Sequence, residues 1–190
     1  MLKYWLLKLL LGKQLADEFW GKKVKLEQLN ILNPHCTIHP SVTIISADRI
    51  KLGAGTFIGA EAYLHGGGME WSKGKGLIKT GTDVEISPRC IIYGAGEVSI
   101  DDKTIVGPEV KIMAQSEGSF HNPQETSNLV FEPVSIGKGC YLGTGSVILG
   151  GTELGDNCIV SPNSVVKGKY PANTTLVGNP ARVIPRLTNN

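Results

Sequence analysis

A six-residue repeat between Ile136 and Val166 constrains the fold of this chain more than any other feature of its sequence. An aliphatic residue recurs at every sixth position, glycine or asparagine follows three positions later, and a small residue follows four positions later. The aliphatic positions are Ile136, Leu142, Ile148, Leu154, Val160 and Val166, the corner positions are Gly139, Gly145, Gly151, Asn157 and Asn163, and the small positions are Cys140, Ser146, Thr152, Cys158 and Ser164. A fixed short period of this kind is typical of a β-helix.

The physical reason is that six residues suffice for one short strand and one corner. Glycine and asparagine tolerate positive φ, so their column marks the corners. The aliphatic and small columns then point inward and stack on the coils above and below. Three such sides close a triangular coil of about 18 residues, with neighbouring coils about 4.8 Å apart. Antiparallel strands with glycine turns are disfavoured, because no Asn-Gly or Asp-Gly dipeptide interrupts the phase.

The same phase extends towards the N-terminus with two-residue slips, which we interpret as bulges at the corners. Its aliphatic positions there are Ile38, Ile44, Ile50, Leu52, Ile58, Leu64, Ile78, Val84, Ile86, Ile92, Val98, Ile100, Val106 and Ile112. The sequence therefore predicts a β-helix domain over residues 34–168, interrupted by insertions at 65–77 and 115–133. Inserted loops on a solenoid often collect on one face and form the binding site. Residues 169–190 are predicted to leave the coil as a C-terminal tail, either irregular or with a short terminal helix.

Residues 1–33 differ in composition and predict an N-terminal helical segment with a broad apolar arc of leucine and tryptophan. The favoured interpretation is a helix that packs on the β-helix or on a neighbouring subunit. Weak contact with a membrane surface is a second interpretation, since Leu, Trp and Lys suit an interface. A signal peptide is the third, and Lys8 argues against it by interrupting the apolar run. No stretch of the sequence is long and apolar enough to span a bilayer.

Composition narrows the functional classes. A chain of 190 residues suits one domain, and a net charge of +2 from scattered lysines does not indicate nucleic-acid binding. The four cysteines form no CxxC pair, so neither a zinc site nor a redox dithiol is predicted. Cys140 and Cys158 lie one coil apart in the small column, where we expect free buried thiols. This is typical of a cytoplasmic protein.

The run from Ile136 to Ile184, IGKGCYLGTGSVILGGTELGDNCIVSPNSVVKGKYPANTTLVGNPARVI, resembles the hexapeptide-repeat acyltransferases. It is most similar to the branch of galactoside, maltose, polysaccharide and streptogramin O-acetyltransferases, of which the ending GNPARVI is a signature. The resemblance implies a left-handed parallel β-helix and a homotrimer with active sites between adjacent subunits. It also implies transfer of an acetyl group from acetyl-CoA to a saccharide hydroxyl, without a metal. Acylation of an amino sugar and a non-catalytic trimeric scaffold stay open as alternatives.

Acyl transfer to a hydroxyl needs a general base, and histidine suits this role because its pKa lies near neutral. The resemblance places the base in the second insertion, within MAQSEGSFHNP, where His121 is the leading candidate and Glu117 the alternative. Relatives usually carry the histidine a few residues earlier, so His121 would have to reach the site on a shifted loop. His65, at the start of the first insertion, is a further candidate. A γ-class carbonic anhydrase would need three histidines around zinc, and only His121 lies in the second half of the chain.

The resemblance also assigns residues to coenzyme A. Tyr141 matches an aromatic position beside the active site, and Arg182 matches a basic residue near the coenzyme's phosphates. The remaining positions are Gly143 and Thr144 at the thioester and pantetheine, Ser161 and Pro162 towards the nucleotide, and Lys167 as a second phosphate contact. In the first insertion, Trp71 could stack on an acceptor sugar or simply belong to a glycine-rich bulge.

Overall fold

The computed structural model describes residues 35–117 and 129–185, so the predicted N-terminal helix lies outside the described residues. Regular structure in these ranges consists of short strands and two 3₁₀ turns, Ala47–Arg49 and Glu70–Ser72. The strands are β1 (Thr37–Ile38), β2 (Thr43–Ile45), β3 (Ile50–Lys51), β4 (Phe57–Ile58), β5 (Tyr63–His65), β6 (Ile78–Thr80), β7 (Glu85–Ile86), β8 (Ile91–Tyr93), β9 (Val98–Ile100), β10 (Ile105–Val106), β11 (Lys111–Met113), β12 (Gln115–Glu117), β13 (Leu129–Phe131), β14 (Val134–Ile136), β15 (Tyr141–Leu142), β16 (Val147–Leu149), β17 (Glu153–Leu154), β18 (Ile159–Val160), β19 (Val165–Val166), β20 (Lys169–Tyr170), β21 (Thr175–Gly178) and β22 (Ala181–Ile184).

The chain visits three parallel sheets in rotation, and these sheets are the three faces of a coil. The first face has the order β1-β4-β7-β10-β15-β18-β21, the second β2-β5-β8-β11-β16-β19 and the third β3-β6-β9-β14-β17-β20. Each strand pairs with the equivalent strand of the next coil, so that Leu142 lies between Val106 and Val160 in register. All-β structure with parallel pairing is therefore confirmed for the described residues.

The core lies inside the coil and consists of the predicted columns. Leu142, Ile148 and Val160 are fully buried, and the small column beside them is buried as well. Small polar side chains form hydrogen bonds at the corners. Thr152 donates its hydroxyl to the Leu149 carbonyl at 2.6 Å, for example. Ser164 accepts from the Gly178 N–H at 3.0 Å, whereas the buried Ser146 hydroxyl has no hydrogen-bond partner within the described residues.

The predicted corner positions between Gly139 and Asn163 are also confirmed. All five glycine and asparagine positions between Gly139 and Asn163 have positive φ. In the earlier coils, charged residues take the same conformation at equivalent corners, such as Glu61, Arg89 and Glu109. The sequence did not reveal these corners, because the left-handed conformation costs an ordinary residue only about 1–2 kcal/mol and stacking hydrogen bonds can offset that cost. The backbone N–H of Arg89, for instance, donates to the Ala60 carbonyl at 2.8 Å.

The two-residue slips arise differently from the prediction. Third-face strands place two residues inward with one exposed residue between them, as in Val98, Ser99 and Ile100. Val134 and Ile136 repeat this pattern in the next coil. The slips from Ile50 to Leu52 and from Val98 to Ile100 thus follow strand alternation along the third face and are not bulges at a corner. The slip from Val84 to Ile86 lies on the first face, where Val84 directly precedes β7. Leu52, which the phase placed in the core, is only partly buried.

Both insertions leave the coil at the same corner, between the second and third faces. His65 still belongs to β5, so the first insertion begins at Gly66. The ends of the second insertion pair as antiparallel strands β12 and β13. Beyond residue 168, where the sequence placed the end of the coil, β20 and β21 continue the parallel pairing and β22 folds back on β21 as a hairpin. No helix within the described ranges is long and apolar enough to cross a membrane.

Candidate active site

Four of the predicted coenzyme residues meet at the corner between the first and second faces. Gly143 and Thr144 form this corner in one coil, and Ser161 and Pro162 form it in the next. Two hydrogen bonds stack the corners: the Gly143 N–H donates to the Val160 carbonyl at 2.8 Å, and the Asn163 N–H donates to the Thr144 carbonyl at 3.0 Å. Thr144 and Pro162 are exposed. The corners of two successive coils are therefore stacked directly on each other through backbone hydrogen bonds.

The close stacking explains why Gly143 has no side chain. A Cβ at this position would lie 2.5 Å from the Pro162 nitrogen and 2.7 Å from the Val160 carbonyl oxygen. Packing of the coil alone thus requires a glycine here. Gly143 itself is buried, and the exposed residues of the corner are Thr144 and Pro162.

Tyr141 and Arg182 lie on the first face, next to that corner. Tyr141 points outward between Ile105 and Ile159, with 42% of its surface exposed. Arg182 is exposed on β22, opposite Val177. Both side chains are therefore accessible beside the edge that carries Gly143 and Ser161.

Lys167 does not join this group within one chain. It follows β19 at the corner between the second and third faces, a full face away from Pro162. Its ammonium group forms an ion pair with Glu132 at 3.0 Å. A coenzyme phosphate would have to share or displace this carboxylate.

Glu132 is a residue that the sequence reasoning missed. It ends the second insertion, where its N–H donates to the Ala114 carbonyl at 3.2 Å. It also packs over a glycine corner, since a Cβ on Gly150 would lie 3.1 Å from the Glu132 Cβ. The signal in the sequence was the Gly150-Gly151 pair, which has two glycines where the repeat needs one.

Neither of the two leading candidates for the base has a described side chain. His121 lies outside the described residues, as does the side chain of Glu117. The backbone of Glu117 pairs with Leu129 at the end of the β12–β13 ladder. The described ends of the second insertion therefore leave the coil as this ladder, close to Met113 at the end of β11. The side chain of Trp71 also lies outside the description.

His65 is well described, and its surroundings argue against a role as base. The imidazole is 6% exposed and stacks on Tyr93, with ring centroids 5.6 Å apart and an angle of 17° between the planes. The Gly67 N–H donates to Nδ1 at 3.0 Å, so the neutral ring carries its proton on Nε2. Burial lowers the pKa of His65. To take up a proton, the ring would have to break the Gly67 hydrogen bond and hold a charge in a buried position.

The cysteines have the predicted form. All four are free thiols, and burial raises the pKa of Cys90 and Cys140 to about 11. Cys90 and Cys140 are therefore poor nucleophiles at neutral pH. Among residues 35–117 and 129–185, no group of three histidine, cysteine, aspartate or glutamate side chains could hold a metal ion.

Comparison with known proteins identifies relatives. Residues 133–168 match the family described as bacterial transferase hexapeptide, six repeats. The putative lipopolysaccharide biosynthesis O-acetyl transferase WbbJ of Escherichia coli K12 is 30% identical over 125 residues, which cover 61% of this chain and 64% of WbbJ. Nodulation protein L of Rhizobium leguminosarum bv. viciae is 36% identical over 106 residues, 56% of each chain. The chain thus spans less than two thirds of the length of these relatives.

A solved structure extends the similarity to most of the fold. It is a crystal structure of a single-residue mutant of AntD, an N-acyltransferase from Bacillus cereus, in complex with dTDP and coenzyme A. It superposes with a TM-score of 0.70 and covers 87% of this chain and 90% of that chain. The sequence identity is 18%, so this similarity concerns the fold alone.

Proposed function

We propose that the chain is an acetyl-CoA-dependent O-acetyltransferase of the bacterial hexapeptide-repeat transferases, as the sequence resemblance implied, and that it acts on a saccharide hydroxyl. The observation that carries the proposal is the stacked corner of Gly143, Thr144, Ser161 and Pro162, because it lies within the segment that matches the family. The relative from Escherichia coli, named for O-acetyl transfer in lipopolysaccharide biosynthesis, supports a saccharide acceptor. We further propose that the coil is left-handed, as the resemblance implies.

The reaction asks little of the protein beyond positioning and one base. The acceptor hydroxyl gives its proton to His121 as its oxygen attacks the thioester carbonyl. The carbon–sulfur bond then breaks, and the leaving thiolate of coenzyme A takes up that proton. The stacked corner holds the pantetheine arm, and Arg182 and Lys167 attract the phosphates. Acetyl-CoA is consumed as a substrate, and no step requires a metal.

We propose a homotrimer because two faces of the coil carry apolar residues on their outer side and the third does not. Phe57, Ile105 and Tyr141 are about 40% exposed on the first face. Val147 and Val165 point outward on the second face. A closed ring of three subunits needs two different patches on each subunit, one for each neighbour. These faces supply such a pair.

A trimer would also bring together predicted coenzyme residues that lie far apart in a single chain. Tyr141 lies on the first face and Lys167 at the far edge of the second, so one chain cannot surround a ligand with both. If the first face of one subunit meets the second face of the next, Tyr141 of one and Lys167 of the other border the same groove. The active site would then be complete only between subunits.

The proposal is tested by titrating the purified protein with acetyl-CoA in a calorimeter and measuring its mass by sedimentation. We expect saturable binding at about one site per chain in a trimer. His121→Ala should lower acetyl transfer to a saccharide by at least about 100-fold, the usual scale for a general base. His39→Ala, at an exposed corner, is the matched control.

Three outcomes would contradict parts of this proposal. No binding at millimolar acetyl-CoA would indicate a non-catalytic scaffold. Unchanged turnover in His121→Ala would remove His121 from the mechanism. A product that resists mild alkali would be an amide and not an ester, and the acceptor would then be an amino sugar.

A further inference from the structure

A cleft of about 220 Å³ lies between the two insertions, at the corner that joins β8 on the second face to β9 on the third. The corner supplies its floor, the first insertion supplies one wall and the end of the second insertion supplies the other. The lining residues are Ala95, Gly96 and Glu97 of the corner, Lys75 of the first insertion, and Phe131 and Pro133 of the second. The cleft is therefore separate from the stacked corner of Gly143, which lies at the other edge of the second face.

Close backbone packing holds both walls in place. A Cβ on Gly67, in the first insertion, would lie 2.6 Å from the Lys75 carbonyl oxygen and 3.1 Å from the Cα of Ala95. A Cβ on Gly96 would lie 2.8 Å from the backbone nitrogen of Glu132, at the end of the second insertion. Both insertions thus pack against the same corner of the coil, and their backbones define the cleft between them.

The cleft carries one cationic and one anionic side chain. Lys75 and Glu97 are both exposed, and neither belongs to an ion pair among the residues that the structure describes. An ammonium group donates hydrogen bonds and a carboxylate accepts them. Adjacent hydroxyls of a sugar ring can satisfy both groups at once, because each hydroxyl donates and accepts. The volume lies below the range of about 300–1,000 Å³ that is usual for drug-sized ligands, so it suits one sugar ring and not coenzyme A.

The backbone at Glu97 does not require the carboxylate. Its φ is 78°, and by strand register the same position two coils further on is Gly151, with φ 82°. Glycine adopts this conformation without steric cost, whereas a residue with a Cβ does not. A glycine at position 97 would therefore suit the corner, and the side chain that is present there has no part in forming the coil.

The cleft and Lys167 lie on opposite sides of the second insertion. The Glu132 side chain packs over Gly150 and pairs with Lys167, towards the C-terminal coils. The residues on either side of it, Phe131 and Pro133, line the cleft towards the N-terminal coils. A sugar in the cleft and a coenzyme phosphate at Lys167 would thus flank the same insertion, as the two substrates of one transfer reaction must.

We propose that this cleft binds one pyranose ring of the acceptor, with Lys75 donating to one ring hydroxyl and Glu97 accepting from the hydroxyl next to it. This inference rests on the proposed acetyltransferase function and names the residues that select its acceptor. Two charged hydrogen bonds to adjacent hydroxyls fix the orientation of the ring beside the β12–β13 ladder, and they distinguish sugars by the configuration of those hydroxyls.

Saturation-transfer NMR titrations of the full-length protein, with and without saturating coenzyme A, test the cleft. The probes are the methyl glycosides of glucose, galactose, mannose and N-acetylglucosamine at millimolar concentration. We expect at least one probe to bind, with a dissociation constant at least about fivefold larger in Lys75→Gln and in Glu97→Gly, because each variant loses a charged hydrogen-bond partner. Glu97→Gly should keep the urea midpoint of the parent protein. Lys73→Gln is the matched control, since it removes an exposed lysine of the same insertion that does not line the cleft.

Every other result counts against the cleft. It is overturned if no probe binds, or if Lys75→Gln and Glu97→Gly bind as tightly as the parent protein. An equal loss in Lys73→Gln would assign the attraction to the charge of the insertion as a whole. A changed sedimentation of either cleft variant would make the cleft a subunit contact. The acetyl-CoA titration keeps the two ideas apart: normal coenzyme binding without sugar binding contradicts only the cleft, whereas no coenzyme binding by the parent protein contradicts the proposed function.

Discussion

The second and third faces of the coil share the same interior but differ completely on their outer sides. Inward residues of both are mainly aliphatic and buried, such as Ile92 on the second face and Ile100 on the third. Outward residues of the second face are mainly apolar and partly buried: Tyr63, Ile91, Val147 and Val165. Those of the third face are polar and exposed: Lys51, Lys79, Ser99, Ser135, Glu153 and Lys169.

This difference separates what the fold requires from what the function requires. Alternation along each strand fixes the inward residues, whereas the outward residues are free to suit their surroundings. A sheet that faces water is polar on that side, and the third face follows this rule. The second face does not, and we infer that a neighbouring subunit and the substrates cover it. The following predictions test the contrast.

The largest expected effect comes from a charge on the outer side of the second face. Val147→Arg places a guanidinium in the proposed subunit contact, beside Lys111 of the next strand. Burying an unpaired cation there is costly, so we expect the trimer to dissociate and the affinity for coenzyme A to fall by at least about tenfold. Analytical ultracentrifugation and calorimetry measure the two effects.

The matched control is Ser135→Arg on the third face, which we expect to remain trimeric with unchanged coenzyme binding. Circular dichroism should be the same for both variants, because each side chain points away from the core. Dissociation of Ser135→Arg would mean that the polar face is the contact. A trimeric Val147→Arg would assign the apolar second face to substrates alone.

A second prediction compares the two sides of a single strand. Ile136→Ala removes a side chain that is 1% exposed and should lower the free energy of unfolding by about 2–5 kcal/mol, through lost burial and the cavity left behind. Ser135→Ala, one residue earlier and pointing outward, should change it by less than about 0.5 kcal/mol. Urea unfolding measures both. Similar losses in the two variants would contradict the inward and outward assignment.

The same contrast between inward and outward residues explains which parts of the fold and of the candidate site the sequence could predict. The inner columns and corners repeat every six residues, so the sequence predicted the core, the parallel pairing and the corner that carries Gly143 and Ser161. The sequence could not predict that Tyr63, His65 and Tyr93 lie together, because outward residues follow no repeat and the first insertion separates β5 from β8. The ion pair of Glu132 and Lys167 joins two residues whose proximity depends on where the second insertion re-enters the coil.

A third prediction concerns two exposed ion pairs that differ in location. Lys167 and Glu132 meet at the edge of the second face, at 3.0 Å, and Lys169 and Glu153 meet on the third face, at 2.7 Å. Exposed pairs contribute little, so Lys167→Gln and Lys169→Gln should each cost less than about 1 kcal/mol of stability. Only Lys167→Gln should raise the KM for acetyl-CoA, by about fivefold, since one phosphate contact is lost. Equal KM values in the two variants would remove Lys167 from the coenzyme site.

The smallest expected effect is a pH dependence of stability that originates in the second face. Burial lowers the pKa of His65 in the folded protein below its ordinary value near 6.5. As the pH falls below about 6.5, the unfolded chain takes up a proton that the folded chain does not, so the free energy of unfolding decreases until the folded pKa is reached. His65→Phe should remove this decrease between about pH 6.5 and pH 5, whereas His39→Phe, at an exposed corner, should retain it. Urea midpoints across this range measure the effect: if the parent protein and His65→Phe lose stability in parallel, burial does not hold the imidazole neutral.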